Sequence, residues 1–234
     1  MDREMFYQPI YASKKVFNLI RSRRFDLISQ SDFKSAYGYE RTCLDRLIIF
    51  SRDLFLIGLQ PNSTILDLGC NIGFFSHSLQ AMGYKVTGVE NNIAYDVLGF
   101  SKEKPLDTAR RLSEEYKVYP EFFTEDIVDY LQKSVKYDVV LCLNIIHHFF
   151  KGYASQGKVA IETEDLQSFL KLLSDTTLKV MYLEYNEEFS ESFGWGRDQI
   201  EHLILSSTDF REIKKVGITV GAGGDCRYVY RCEK

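Results

Sequence analysis

Apolar and polar residues follow two periods along this chain, one typical of strands and one typical of helices. Short apolar runs such as "TILDLG" from Thr64 and "YDVVLCLN" from Tyr137 predict buried strands. Segments such as "FFSHSLQAMG" and "EDLQSFLKLLSD" instead space their apolar residues three to four positions apart, as on one face of a helix. Because the two kinds of segment alternate, the pattern predicts an α/β domain built on a parallel sheet.

The remaining segments complete this pattern. "KVTGVEN", "PEFFTED" and "LKVMYLEYN" predict further strands, and "PLDTARRLSEEYKV", "IVDYLQKS" and "RDQIEHLILSS" predict helices. At the end of the chain, "REIKKVGIT" and "DCRYVYRCEK" flank a glycine-rich turn, which indicates an antiparallel hairpin. The predicted fold class is therefore α/β, with a doubly wound, mostly parallel seven-stranded sheet and a C-terminal antiparallel hairpin.

Residues 1–60 show helical periodicity without strand alternation, so we expect a helical N-terminal arm or cap ahead of the α/β domain at 61–234. The most apolar long stretch, "LIIFSRDLFLIGL", is interrupted by Arg52 and Asp53 and is too short to span a bilayer. The sequence therefore predicts no membrane-inserted segment.

Charge and cysteine content narrow the function classes. The chain has 234 residues, 29 basic and 33 acidic side chains and a formal charge of −4, which gives no overall case for binding a polyanion. Five cations fall within "KKVFNLIRSRRF", but a solvated helix face explains that run more simply than a phosphate site does. The five cysteines form no CxxC pair, which favours a reducing compartment such as the cytoplasm.

The segment "LDLGCNIG" carries the first candidate chemistry. It places Asp67, Gly69 and Gly73 at the turn from the first strand into a helix, where ligands of doubly wound sheets bind. Glycines let the backbone turn sharply and approach a ligand closely. Glu90 ends the second strand, where an acid can accept hydrogen bonds from both hydroxyls of a ribose, and Asp126 follows the third strand.

Each acid also has an ordinary structural role open to it. Asp67 and Asp126 could cap helices, and Glu90 could be a surface acid. Their ordered occurrence at the ends of three successive strands favours a ligand site. A nicotinamide site is the nearest rival, but "GCNIGF" lacks the third glycine of its fingerprint.

Residues from about 63 to 234 resemble the class I, Rossmann-like S-adenosylmethionine-dependent methyltransferases. The matching pieces are "LDLGCNIG", "GVENN", "TEDI", "YDVVLCLNIIHHF" and the terminal strand pair. The resemblance implies S-adenosylmethionine as cofactor and S-adenosylhomocysteine as product. It implies that Asp67, Gly69 and Gly73 line the methionine part, Glu90 the ribose, and Asp126 with Ile127 the adenine. The other cofactor-site residues that it implies are Cys70, Asn71, Asn91 and Asn144. Asn71 departs from the commoner pattern, which has glycine at that position.

Two histidines follow the fourth strand in "LNIIHHFF". A hydroxyl acceptor needs a base during methyl transfer, and imidazole titrates near neutrality, so His147 and His148 are the candidate catalytic bases. The alternative is a histidine that packs beneath the loop. A metal site is not favoured, because adjacent histidines rarely converge on one ion. Magnesium assistance stays open, since Glu184 and Asn186 end the fifth strand nearby.

The candidate substrate residues are Tyr37, Tyr39 and Arg41 in the arm, and Trp195 in "ESFGWGRDQ" after the fifth strand. Arg41 could hold a carboxylate or phosphate, and Trp195 could belong to a lid over the substrate. Both groups could equally serve packing alone, as an aromatic patch between arm and core or as a cover over the core.

The function that we expect is O-methylation of a small-molecule or glycan hydroxyl. One alternative is methylation of an RNA end, since "LDLGCNIG", "YDVVLCLN" and the final strand pair are also similar to RNA 5′-phosphate methyl-capping enzymes. A second alternative is an inactive cofactor-binding scaffold, against which the intact acids and histidines argue.

Overall fold

The computed structural model describes residues 18–19, 21–27, 43–92, 104–150, 166–220 and 226–234. Its strands are β1 (Thr64–Leu68), β2 (Lys85–Glu90), β3 (Glu121–Thr124), β4 (Tyr137–Leu143), β5 (Thr177–Tyr185), β6 (Glu212–Val220) and β7 (Cys226–Glu233). Its α-helices are α1 (Cys43–Leu56), α2 (Phe74–Ala81), α3 (Pro105–Tyr116), α4 (Ile127–Gln132), α5 (Leu166–Thr176), α6 (Glu187–Glu191) and α7 (Arg197–Ser207). Short 3₁₀ helices lie at Phe25–Leu27 and Ile146–Phe149.

The seven strands form one sheet in the order β3-β2-β1-β4-β5-β7-β6. The first five strands of that order are parallel, and β7 pairs antiparallel with both β5 and β6. The predicted mostly parallel sheet with a C-terminal antiparallel hairpin is therefore confirmed.

Strand alternation sends successive side chains to opposite faces of the sheet, and each face has its own core. On one face Ile65 and Val139 pack with helices α1, α2 and α3. On the other face Leu66 and Val140 pack with α4, α5 and α7. The central strands are apolar along nearly their whole length because both of their faces are covered.

Helix α1 lies within the sequence predicted to form an arm, yet it packs into the core of the sheet. Leu47, Phe50 and Leu54 are buried there, and the Phe50 ring lies 5.0 Å from that of Tyr182 on β5. The boundary near residue 60 stays a prediction. In the part of the chain described here, no helix is both long enough and apolar enough to cross a bilayer.

A short piece of the basic run, residues 21–27, lies at the amino edge of the sheet. Arg23 donates hydrogen bonds of 3.4 Å to the Met82 carbonyl and the Tyr84 hydroxyl, just before β2 begins. Arg24 forms an exposed ion pair with Asp26. These contacts place Arg23 at the edge opposite to the carboxyl ends of the parallel strands.

Candidate functional site

The carboxyl ends of β2, β1, β4 and β5 lie side by side, because these four strands are parallel neighbours. The winding reverses at β1 and β4, since β2 continues the sheet on one side and β5 on the other. In open α/β sheets this reversal is where ligands bind. Of the predicted residues, Asp67 is the next-to-last residue of β1, Glu90 ends β2, and Gly69 and Asn144 directly follow β1 and β4.

The turn from β1 into α2 contains three residues with positive φ, namely Gly69 at 60°, Asn71 at 55° and Gly73 at 77°. A side chain at Gly73 would place its Cβ 2.8 Å from the Phe122 ring and 2.9 Å from the His77 ring, so only glycine fits. Asparagine is among the residues that adopt positive φ most readily. Asn71 therefore adopts the positive φ of the turn at the position where the family resemblance implies a glycine.

Glu90, the last residue of β2, links that strand to the glycine turn. One carboxylate oxygen accepts a hydrogen bond of 3.1 Å from the backbone N–H of Asn71, and the other accepts one of 3.3 Å from Asn92. Burial raises the pKa of Glu90, and these backbone donors act in the opposite direction. Asn91, also predicted for the cofactor site, is half-buried directly after Glu90.

Asp67 is buried beneath the same turn, and its Oδ2 accepts a hydrogen bond of 2.6 Å from the Ser76 hydroxyl. Burial raises the pKa of Asp67 to about 7, although the hydrogen bonds from Ser76 partly oppose this. The carboxyl group bonds to a helix side chain here. Its protonation state near neutral pH is sensitive to any charge brought to the turn.

Cys70 lies within the turn, and its side chain is buried. A Cβ on Gly88 of β2 would lie 2.8 Å from the Cys70 sulfur, so the thiol packs directly on the neighbouring strand. Burial raises the pKa of this thiol well above its usual value. A thiol of that kind is unreactive, which makes Cys70 a packing residue of the turn.

Asp126 and Ile127 stand where α4 begins after β3. Asp126 is the N-cap of this helix, because its carboxylate accepts a hydrogen bond of 2.8 Å from the backbone N–H of Val128. The side chain of Ile127 is buried. The capping role considered from the sequence is therefore present, and a role toward adenine stays a prediction.

Asn144 follows β4 with a φ of 58°. Its backbone N–H donates to the carbonyl of Glu184 on β5 at 3.1 Å, and its side-chain oxygen accepts a hydrogen bond from Arg227 on β7. Three strands thus fix the conformation of the chain just before the two histidines.

His147 and His148 belong to the single 3₁₀ turn Ile146–Phe149, and both are half-buried. Their ring centroids lie 4.4 Å apart, and His147 meets the Phe189 ring edge-on at 5.9 Å. The turn is anchored from below by Phe149, which stacks on Phe169 with ring centroids 4.0 Å apart. The histidines therefore lie on a fixed turn at the carboxyl end of β4.

Trp195 packs against the residue that follows this histidine turn. Its ring is nearly parallel to that of Phe150, with centroids 6.1 Å apart, and Phe193 contacts Phe150 as well. Trp195 is half-buried, so part of its surface remains open. The other residues predicted for the substrate, Tyr37, Tyr39 and Arg41, lie outside the described residues.

His77, which was not predicted from the sequence as a site residue, supports the glycine turn from below. Its Nδ1 lies 2.6 Å from the Gly73 carbonyl, which requires a proton on that nitrogen, and its Nε2 lies 2.9 Å from the Ser113 hydroxyl on α3. Burial lowers the pKa of His77 to about 4, so the ring is neutral. The available signal was a histidine four residues after Gly73 on an otherwise apolar helix face.

The two residues considered for magnesium have other partners. Glu184 forms a buried ion pair with Arg46 of α1. The side chain of Asn186 caps α6 by accepting a hydrogen bond of 3.0 Å from the backbone N–H of Phe189. Among the described residues, no group of three His, Cys, Asp or Glu side chains is arranged to hold a metal ion.

Comparisons with known sequences point to O-methyltransferases. The ubiquinone biosynthesis O-methyltransferase of Hydrogenovibrio crunogenus is 34% identical over 87 residues, which are 37% of this chain and 32% of the relative. The protein of the same name from Yersinia enterocolitica is 26% identical over 133 residues, which are 56% of this chain and 48% of the relative. The matched segments thus span less than half of either relative. No protein-family model matches the chain.

Solved structures support the same fold. The bifunctional kinase-methyltransferase WbdD matches 82% of this chain and 40% of its own, with a TM-score of 0.60 and 21% identity. Magnesium protoporphyrin IX methyltransferase from Synechocystis PCC 6803, solved with S-adenosylmethionine bound, matches 100% of this chain and 98% of its own, with a TM-score of 0.54 and 20% identity. At these identities the likeness establishes the fold.

The sheet order, the glycine turn with its two acids, and the relatives named O-methyltransferases agree with one another. The chain has the fold of the class I, Rossmann-like S-adenosylmethionine-dependent methyltransferases, and its sequence is similar to proteins named O-methyltransferases.

Proposed function

We propose that this protein transfers the methyl group of S-adenosylmethionine to a hydroxyl oxygen of a small molecule or glycan, with His147 or His148 as the general base. The observation that carries this proposal is the geometry of the strand ends. Glu90 bonds to the glycine turn through Asn71 above the buried Asp67, and the histidine turn follows the neighbouring β4.

The residues present suit the cofactor. Gly69 is exposed and leaves the backbone of the turn open to a ligand, while Glu90 is held so that its carboxylate faces the strand ends. A cofactor with a sulfonium and an ammonium group would place positive charge near Asp67, whose pKa of about 7 lets it ionise in response. The cofactor supplies an electrophilic methyl group, and the rest of the chemistry falls to this chain.

The protein's first task is to align the acceptor, because fixed geometry alone removes much of the barrier to a displacement. A hydroxyl keeps its proton at neutral pH, so a base must take that proton as the new bond forms. His147 and His148 are the half-buried titratable groups on the turn that follows β4. The rings of Phe189, which contacts His147, and Trp195, which packs on Phe150 just after the turn, suit the flat face of a ring-shaped acceptor.

Methylation of an RNA end is the weaker proposal. The cations that would bind phosphates include Arg23 and Arg24, and both have partners away from the strand ends. Arg23 lies next to the start of β2, whereas Glu90 ends it, so about five residues of strand, roughly 16 Å, separate them. A rRNA methyltransferase from T. thermophilus, solved with guanosine, shares the fold at 15% identity and a TM-score of 0.54, which says nothing about this acceptor. An inactive scaffold is also disfavoured, since it would not need the histidine turn.

The cofactor part is tested by thermal unfolding with S-adenosylmethionine, S-adenosylhomocysteine and NAD. A ligand of the native state raises the melting temperature, so the first two should do so and NAD should not. Glu90→Ala should remove most of the shift. As a control, Glu121→Ala changes an exposed acid at the amino end of β3 and should retain the shift in melting temperature. A response to NAD alone would refute the proposal.

The base is tested separately with a panel of phenolic and sugar hydroxyl acceptors. One of His147→Ala and His148→Ala should lower turnover by about 100-fold or more, while cofactor affinity stays nearly constant. His202→Ala, which changes an exposed histidine on α7, is the matched control. Full turnover in both variants would mean that the acceptor needs no base, as a phosphate does not.

A further inference from the structure

Helix α1 is joined to the sheet by two buried ion pairs at two positions along the helix. Arg46 pairs with Glu184 of β5, with Nε and Oε1 2.7 Å apart, and Asp53 pairs with Arg231 of β7 at the same distance. Asp53 also accepts a hydrogen bond from Tyr182. Arg46 and Asp53 are seven residues apart, so roughly 10 Å of helix separates the two links.

The pair nearer the candidate site is the more deeply buried. The side chains of Arg46 and Glu184 are 4% and 0% exposed, whereas those of Arg231 and Asp53 are 11% and 10% exposed. Thr219 donates a second bond of 2.8 Å to Glu184 Oε1, while Glu184 Oε2 has no hydrogen-bond partner among the described residues. The Arg46 Nε contact is an ion pair whose angle is not that of a hydrogen bond.

Such an arrangement is a poor way to gain stability. Removing two charges from water is costly, and an apolar pair of similar volume often stabilises a fold as well or better. An unbonded carboxylate oxygen adds to that cost. A role beyond stability is therefore worth testing for this pair.

Glu184 is linked by one backbone hydrogen bond to the segment that carries the histidines. It is the next-to-last residue of β5 and pairs with Leu143, the last residue of β4. Its carbonyl accepts the backbone N–H of Asn144, which has positive φ and leads directly into the turn containing His147 and His148. A shift of Glu184 would therefore move the start of the histidine turn.

We propose that Arg46 and Glu184 are positioning residues for the acceptor half of the site. Their ion pair, with Thr219, fixes the end of β5 against α1, and the Glu184 carbonyl then fixes Asn144 and the histidine turn. The glycine turn after β1 is two strands away from β5 and Glu90 on β2 is three strands away, so neither depends on this pair. The inference rests on the proposed function for its kinetic meaning, but its structural part can be tested without a substrate.

The test compares Glu184→Gln with Asp53→Asn, because each removes one carboxylate charge from one of the two buried ion pairs that join α1 to the sheet. Both variants should lose stability to a similar extent in urea unfolding. Glu184→Gln should lower kcat by about tenfold or more and leave the Kd for S-adenosylmethionine within about twofold. Asp53→Asn should leave both values unchanged. Thr219→Val, which removes only one bond to Glu184, is the milder variant if Glu184→Gln does not fold.

A second readout needs no activity. In NMR spectra of the histidine rings, Glu184→Gln or Thr219→Val should shift the His147 and His148 signals, and Asp53→Asn should not. Equal ring shifts or equal kcat losses in Glu184→Gln and Asp53→Asn would reduce the pair to a structural one and overturn the inference. A wild-type chain that binds no S-adenosylmethionine would instead refute the proposed function, while the ring signals would still decide the positioning role.

Discussion

Asp67 offers the most direct test of the buried acid beneath the glycine turn. Burial raises its pKa from 3.8 to about 7, so the folded protein holds a proton on Asp67 that the unfolded chain releases at lower pH. The Ser76 hydroxyl is the group that bonds to this carboxyl side chain. Replacing Asp67 with Asn gives a neutral side chain of nearly the same shape at every pH.

The sign of the effect follows from the direction of the shift. A group with a raised pKa in the folded state contributes stability that is fully present below the unfolded pKa and is lost as pH rises through the folded pKa. The stability from the Asp67 proton is therefore present near pH 4 and lost by about pH 8. A difference of about 3 pKa units corresponds to about 4 kcal/mol, since one unit is about 1.4 kcal/mol.

The assay is urea unfolding of wild type and Asp67→Asn at pH 4.5, 6 and 8.5. The variant should exceed the wild type by about 1 kcal/mol at pH 4.5, because the unfolded acid is already mostly ionised there, and by up to about 4 kcal/mol at pH 8.5. Asp138→Asn provides a control of opposite sign. Burial acts to raise the pKa of Asp138, but the Lys179 and Thr64 hydrogen bonds lower it overall. That variant should lose stability at high pH.

The same titration should appear in cofactor binding. If S-adenosylmethionine binds the ionised form of Asp67, its affinity should rise about tenfold per pH unit up to pH 7 and then level off. Asp67→Asn should lose this dependence. A stability difference that is the same at all three pH values, together with a pH-independent wild-type affinity, would refute the reasoning.

Two further predictions concern the support of the turn and the choice of acceptor. His77→Phe should cost about 1–3 kcal/mol by removing two buried side-chain hydrogen bonds, to the Gly73 carbonyl and the Ser113 hydroxyl, and it should weaken S-adenosylmethionine binding in calorimetry, whereas His202→Phe should do neither. Because burial lowers the pKa of His77 from 6.5 to about 4, the stability of wild type relative to His77→Phe should fall as pH drops from 6.5 to 4, and a difference that does not change with pH would contradict the assignment. Acceptor affinity should be independent of salt for a neutral hydroxyl, whereas an RNA end would give a log–log slope of about −0.7 per phosphate contacted. RNA binding that weakens with salt and vanishes when Lys14, Lys15, Arg21, Arg23 and Arg24 become Ser would favour the RNA alternative.

The order of the elements was predictable because it depends on local patterns. Apolar runs of strand length and helical spacings of apolar residues are each contained within about ten residues of sequence. Each predicted strand from Thr64 onward appears in the sheet. The glycine turn and the carboxylate of Glu90 could also be predicted from the sequence, since their positions at the ends of predicted strands define the sheet edge at which they meet.

The contacts that shape the site joined residues far apart in sequence, and no local pattern carries such information. His77 meets Ser113 across 36 positions, Arg227 reaches Asn144 across 83, and Arg46 pairs with Glu184 on a different element. Each bond depends on which helix packs over which strand, which is decided by the burial of both faces at once.

The sequence by itself determined the alternation of strands and helices, the glycine turn and the placement of acids at strand ends, because these follow from periodicity and from the backbone freedom of glycine. Only the tertiary structure decided that α1 joins the core, that Glu184 pairs with Arg46 and that Arg23 lies at the far edge of the sheet. The physical reason is that side-chain partners are selected by packing in three dimensions, where buried polar groups bond to whichever groups the fold brings within reach.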